Sequence, residues 1–254
     1  MKTAIQAFII AFSMYSKIPM PRVKWDERGM KYAMCFFPLI GAVEGLIFYL
    51  AGTFLVNKHV SNLLLGCIMA VIPILITGGI HMDGFLDTMD GINSYADKEK
   101  RLEILKDSNS GAFAIIGGLV YFTLYVGFLS EISVSMLPMI ALNFIFSRAL
   151  SGLAVSVFPN ARKKGLLNTF SEASEKAAVI LADTIYAVAV IAIAVEISFS
   201  GAIVMFIAGT VTFAYHYWNC MHNFGGITGD LAGYFLQINE LSVVIGLVGL
   251  KYLG

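Results

Sequence analysis

Apolar residues gather in seven long runs, roughly 36–56, 62–80, 112–130, 134–157, 178–197, 200–218 and 231–250, each set off by a short polar break. A helical run of about 20 apolar residues crosses the roughly 30 Å hydrocarbon core of a bilayer, so the pattern predicts seven transmembrane helices. Gln237, Asn239 and Glu240 interrupt the last run. Ahead of the first lies MKTAIQAFIIAFSMYSKIPM, whose apolar stretch from Ala7 to Phe12 is followed by Pro19 and Pro21. Gln6, the short core and the want of a small-x-small cleavage site separate it from a secretory signal. A short N-terminal helix, interfacial or re-entrant, is expected there. No low-complexity tract, solenoid period or linker divides the chain, so residues 1–254 are expected to form a single all-α domain, a polytopic helical membrane bundle.

Composition strengthens this picture: 58% of residues are hydrophobic, only 13% are charged, and the mean hydropathy is +0.78. A soluble chain of this size needs more charge to cover its surface. Net charge is zero, but its distribution is lopsided. Lys2, Lys17, Arg22, Lys24, Arg28 and Lys31 precede the first run; Lys98, Lys100, Arg101 and Lys106 separate the second and third; Arg162, Lys163, Lys164 and Lys176 separate the fourth and fifth. Only Lys58 and Lys251 fall on the opposite side, and Arg148 lies inside a run. The positive-inside rule then places the N-terminus and the loops at 81–111, 158–177 and 219–230 in the cytoplasm of a prokaryote, beneath its cytoplasmic membrane. Cys35, Cys67 and Cys220 lack C-x-x-C spacing and are expected to be small buried apolar residues rather than disulfide or thiolate-metal partners. No nucleic-acid partner is expected.

Candidate chemistry collects in one of those loops, HMDGFLDTMDGINS from His81 to Ser94. If the second run's helix continues past Gly78–Gly79, Asp83, Asp87 and Asp90 share one face at i, i+4, i+7. Three carboxylates on one stripe repel, and a divalent cation relieves that repulsion. Their oxygen ligands suit Mg²⁺, or Mn²⁺, rather than zinc, and Mg²⁺ fills its shell with water and substrate phosphates. A phosphate-bearing substrate follows. A solvated helix end with exposed acids is the plainer alternative. The loop continues DKEKRLEILKDSNSG, where Asp97 can cap a short helix whose Leu102 and Leu105 face membrane or bundle, and Lys106, Asp107, Ser108 and Ser110 lead to Gly111 in a polar turn.

A second cluster, NFGGITGDLAG, brings Gly226, Thr228, Gly229 and Asp230 to the same side, and FPNARKKG adds Arg162, Lys163 and Lys164, the last two suited to anionic headgroups. Arg148, two to three turns inside a span, requires a partner; Glu44 or a bound phosphate would serve. His81 reads equally as general base, ligand or interfacial donor. His216 and His222 read as interfacial, and Asp183, Glu131 and Glu196 as span-end residues. The residues alone thus outline a membrane-embedded, Mg²⁺-dependent enzyme acting on a phosphate or diphosphate.

GGIHMDGFLDTMDG, then KDSNSG, then an arginine ahead of A-R-x-x-G, then GGITGD resembles the cobalamin synthase (adenosylcobinamide-GDP ribazoletransferase) family, in order and over nearly the whole chain. The resemblance implies a phosphotransferase-class reaction. Adenosylcobinamide-GDP reacts with α-ribazole or its 5′-phosphate, giving adenosylcobalamin or its 5′-phosphate and releasing GMP. It implies Mg²⁺ on Asp83, Asp87 and Asp90, and catalytic roles for those residues with His81, Lys106 and Arg148. It also implies substrate contacts from Asp107, Ser108, Arg162, Gly226, Thr228, Gly229, Asp230 and Glu240. Gly165 completes the A-R-x-x-G element, while Ala114, where glycine is common, and Glu44 depart from the family pattern. Partners implied are those substrates and the bilayer; self-association or association with other corrinoid-assembly enzymes stays open. Among rivals, a CDP-alcohol phosphatidyltransferase requires Ala-Arg shortly after Asp-Gly, whereas Phe85, Leu86, Asp87 and Thr88 follow here. A prenyltransferase requires a second D-x-x-x-D. A cation transporter requires charges on both faces or at mid-membrane.

Overall fold

The computed structural model describes residues 2–162 and 175–253; Lys163, Lys164 and Gly165 lie outside them. Helix α1 (Lys2–Tyr15) packs on α2 (Glu27–Ala33), which runs through a 3₁₀ turn into α3 (Phe37–Asn57). There follow α4 (Asn62–Thr77), α5 (Ile80–Asn93), α6 (Lys98–Ile104), α7 (Ala112–Leu129), α8 (Leu137–Val157), α9 (Lys176–Ile197), α10 (Phe199–Asn219) and α11 (Gly229–Leu253). The fold is an all-helical bundle with six helices long and apolar enough to span a membrane, or seven counting the bent pair α4–α5. Among the described residues the one extended pairing is a parallel bridge between Asn160 and Ile227.

The seven apolar runs appear as helices within a few residues of the expected bounds. Their exposed faces carry Leu46, Leu50 and Phe54 on α3, Leu119 on α7, Val188 on α9 and Phe206 on α10. Apolar side chains turned outward in this number suit lipid rather than water. Inside, α8 packs against α3, α9 and α11, and Phe48, Tyr125, Leu129, Phe144, Met205 and Val244 belong to one core. The polar interruptions of the last run face inward: Gln237, Asn239 and Glu240 are all buried, and Asn239 donates to the Thr212 hydroxyl at 2.9 Å.

Several expectations change. The second span does not continue through Gly78–Gly79. Both glycines take left-handed φ values, +68° and +79°, which favour Gly, and α5 leaves α4 at 99°. If α4 stands across the bilayer, α5 lies over the end of the bundle. His216 is buried against Phe158 and Phe235 rather than interfacial, whereas His222 stacks on the half-exposed Trp218. Of the cysteines only Cys220 is buried; Cys67 is exposed and Cys35 intermediate, and all three are free. Asp183, near the start of α9 as expected, is fully buried beside Gly152. The short helix capped by Asp97 forms as expected, its side chain accepting from the Lys100 amide at 2.9 Å, and Leu105 turns into the bundle with Phe224 and Leu231.

Candidate active site at the end of the bundle

The acidic stripe survives the broken span because all three aspartates lie within α5, a helix in its own right. Met82 and Phe85 on its other face are buried, and Phe85 stacks on Tyr234 of α11 with ring centroids 5.4 Å apart. What sets its position is a close crossing with α11. A Cβ on Gly84 would fall 2.6 Å from the Asp230 carbonyl oxygen, and one on Gly233 would fall 2.9 Å from the His81 carbonyl oxygen. Only glycine permits that approach. Asp230, from the distant GGITGD element, is thereby delivered onto the stripe.

The charges of Asp83, Asp230 and Asp90 all bear on Asp87, and Arg162 opposes them. Arg162 reaches the Asp230 carboxylate at 3.8 Å and donates to the Leu102 carbonyl at 2.8 Å. Its segment is held by the bridge, in which the Ala161 amide donates to Ile227 O at 3.0 Å and the Ile227 amide to Pro159 O at 2.8 Å. The Thr228 hydroxyl accepts from the Leu231 amide at the start of α11 and lies 3.4 Å from an Asp230 oxygen. Gly226 is wedged against Ala161, and Gly229 faces open space. α6 is tied to the same turn through Arg101 to Asn223 and Lys98 to the Met221 carbonyl. Three segments far apart in sequence therefore form one acidic and basic face.

The aspartates differ in their engagement. Among the described residues, neither Asp83 nor Asp87 accepts a hydrogen bond or pairs with a cation within 4.0 Å, whereas Asp90 uses both oxygens, accepting from the Gly111 amide at 2.5 Å and the Ala114 amide at 2.8 Å. Asp90 thus caps α7, whose first amides would otherwise lack partners. Ala114 is compatible with that cap, so its departure from glycine leaves the loop intact. Asp107 instead turns inward on its own loop: the Asn109 backbone and side-chain amides hold its carboxyl below the usual range. Lys106 and Ser108 are exposed beside it. Among the described residues no three His, Cys, Asp or Glu side chains close into a ready metal cage.

Three residues implied by the resemblance sit deeper. Arg148, 1% exposed, donates to Glu240 at 3.0 Å and to the Phe144 carbonyl at 3.0 Å, and its other amino group pairs with Glu44. The partner question is answered by carboxylates, Glu44 among them, and Arg148 and Glu240 lie inside the bundle rather than on the acidic face. His81 is 5% exposed, packed between Tyr15 and Phe37, with its Nε2 sealed and without a hydrogen-bond partner among the described residues. Asp230's place against Gly84 was not readable from either motif alone; the signal was the pair of small residues, Gly84 and Gly233, each set beside functional groups.

A family model for cobalamin-5-phosphate synthase matches residues 7–248. The chain belongs to the cobalamin-5-phosphate synthase family. A protein of Lachnoclostridium phytofermentans named adenosylcobinamide-GDP ribazoletransferase is 47% identical over 241 residues, covering 94% of this chain and 92% of its own. Proteins of the same name from Clostridium botulinum strain Alaska E43 and Fusobacterium nucleatum are 32% and 29% identical, covering 95% and 93% of this chain and 96% and 95% of theirs. No solved structure shows a significant match. As a family member the chain is a membrane-spanning transferase of cobalamin biosynthesis.

In this cobalamin-5-phosphate synthase homologue the α5–α11 crossing is a point of high sensitivity. Gly84→Ala is expected to lower stability by about 1–3 kcal/mol through overpacking, and to cut turnover at least about tenfold because displacing reacting groups by about 1 Å is itself costly. Gly127→Ala on α7, whose Cβ meets nothing within 4 Å, is the control and should lower neither. Thermal unfolding in detergent together with turnover reads both; equal behaviour of the two variants would show that the crossing does not set the site.

Proposed function

We propose that the chain transfers the adenosylcobinamide phosphate group of adenosylcobinamide-GDP to α-ribazole, or to its 5′-phosphate, and releases GMP. The reaction runs at the cytoplasmic membrane, with the acidic face toward the cytoplasm, where most of the basic residues also fall. One observation carries the reading: Asp83 and Asp87, with unengaged carboxylates, stand beside Asp230 and Arg162 on a single open face. Relatives that match this chain over nearly its full length carry the name adenosylcobinamide-GDP ribazoletransferase, which supports the reading.

The residues fit a divalent cation. Mg²⁺ takes one or two carboxylates and completes its shell with water and substrate phosphates, which is why an incomplete protein cage is the suitable one. Asp83 and Asp87 would hold it, with Asp230 beside them, whereas Asp90 is committed to α7. Bound there, Mg²⁺ would screen the diphosphate and stabilise charge on the departing phosphate. The ribose 3′-hydroxyl of α-ribazole attacks the phosphorus next to the aminopropanol arm. A new P–O bond forms, the bond to the GMP phosphate breaks, and the hydroxyl proton passes to a carboxylate of the stripe. His81, sealed between aromatic rings, is badly placed to take it. Arg162 faces the leaving phosphate, and no protein nucleophile is needed because positioning and electrostatics supply the catalysis.

The test is GMP release by purified protein in detergent, given adenosylcobinamide-GDP and α-ribazole. GMP and a cobalamin product are expected in equal amounts with Mg²⁺ and neither after chelation. Folded protein that yields no GMP with Mg²⁺ or Mn²⁺ would overturn the proposal.

A further inference from the structure

The break that turns α4 into α5 leaves the last carbonyls of α4 without helical partners, a costly condition near a bilayer. The segment after α1 answers it: the Lys17 amide donates to the Ile76 carbonyl at 2.7 Å. That segment is itself fixed, since the Ser16 amide and hydroxyl both donate to the Phe12 carbonyl, at 3.0 and 2.7 Å, and the Ile18 amide donates back to the Ser16 hydroxyl at 3.3 Å. The Lys17 backbone is therefore locked against the break. Its side chain lies flat across Gly78: a Cβ on that glycine would fall 2.3, 2.7 and 2.9 Å from Lys17 Cε, Cγ and Cδ. With φ of +68° and a lysine stem on top, Gly78 is doubly determined.

The stem lies on Gly78 as far as Cε, beside Gly79, the cap of α5, and Asp83 stands one turn further along that helix. Lys17 is exposed, and among the described residues no carboxylate lies within 4.0 Å of it. Most other basic groups near this face are committed: Lys98 to a carbonyl, Arg101 to Asn223, Arg162 to Leu102 and Asp230. At the opposite end of the stripe the exposed Lys106 begins the turn that Asp90 holds at Gly111. Among the described residues neither the Lys17 nor the Lys106 side chain has a hydrogen-bond or ion-pair partner.

We infer that Lys17 is a substrate-binding residue, its ammonium contacting a non-bridging oxygen of the substrate diphosphate at the Asp83 end of the stripe. This deepens the transferase reading and rests on it. Lysine acts on phosphate as a point charge, and a stem pinned on Gly78 limits the entropy lost on binding. The shared chemistry is a phosphate anion, which a lipid headgroup could also present.

Lys17→Met keeps an apolar stem over Gly78 and removes the charge; Lys17→Arg keeps the charge. Both are expected to unfold at the wild-type temperature in detergent. In detergent without anionic lipid, Lys17→Met is expected to raise KM for adenosylcobinamide-GDP by about tenfold or more, the scale of a hydrogen bond to a charged group, while KM for α-ribazole stays constant and Lys17→Arg recovers most of the loss. Unchanged KM in Lys17→Met beside an active wild type overturns the inference and leaves the transferase reading intact. A defect confined to liposomes with anionic lipid assigns Lys17 to headgroups and also overturns it. Wild-type protein that releases no GMP overturns the reading on which it rests.

Discussion

Asp83→Asn is expected to lose more than about 100-fold in turnover, beyond what loss of an outer-shell metal partner costs, and to unfold at the wild-type temperature. Asp83 is exposed and holds no partner among the described residues, so asparagine removes charge without disturbing a contact. The contrast is Asp90. Its two oxygens receive amides from Gly111 and Ala114, so Asp90→Ala should act first on stability, by about 1 kcal/mol for a lost cap, and on turnover only through the loosened start of α7. Mg²⁺ titration of turnover separates the two: Asp83→Asn should raise the Mg²⁺ requirement steeply and Asp90→Ala only slightly. An Asp83→Asn enzyme with wild-type turnover and Mg²⁺ dependence would remove Asp83 from the metal site.

Arg148→Met is expected to destabilise the bundle by about 3–5 kcal/mol, the cost of breaking a buried ion pair and leaving its acids uncompensated. Arg148, Glu44 and Glu240 come from α8, α3 and α11, and all three are buried. Methionine fills much of the same volume, so lost packing contributes little and lost charge nearly everything. Glu44→Gln is expected to be much milder, because Arg148 retains Glu240, the Ser147 hydroxyl also donates to Glu240 at 3.2 Å, and glutamine still offers an oxygen. Thermal unfolding of the three proteins in one detergent decides it; equal transitions for wild type and Arg148→Met would mean the triad contributes no net stability. Because Arg148 bridges three helices, its loss should depress turnover in proportion to folded protein rather than change KM.

The spans were legible because lipid imposes a simple rule: nearly every residue on an outward face must be apolar, as Leu50, Leu119 and Phe206 are. The stripe was legible because i, i+4, i+7 spacing survives any rigid displacement of the helix that carries it. Its surroundings were not. Nothing in the spacing of Asp83, Asp87 and Asp90 says that the third serves α7, since a carboxylate accepting two amides and one with no partner among the described residues look alike in sequence. The break at Gly78–Gly79 was hidden for a similar reason: two glycines are tolerated within a helix as well as between helices. Arg148 and Glu44 were paired by depth, whereas the second partner, Glu240, carried no such sign, because the α8–α11 packing that brings it to Arg148 is not written in its sequence neighbours. His216 was misplaced, and the burial of Asp183 went unread, because polar residues near span ends carry no mark of which way they face.

The crossing of α5 over α11 also bears on when the site comes into being. Residues 81–94 leave the ribosome long before Gly229 to Gly233, which open α11. Until that helix inserts, the acidic segment has no surface on which to seat His81 and Gly84, and Asp230 is absent. The acidic face is therefore completed only when α11 inserts, and a chain arrested before residue 229 would carry every aspartate of the stripe without Asp230 and the crossing that seats them.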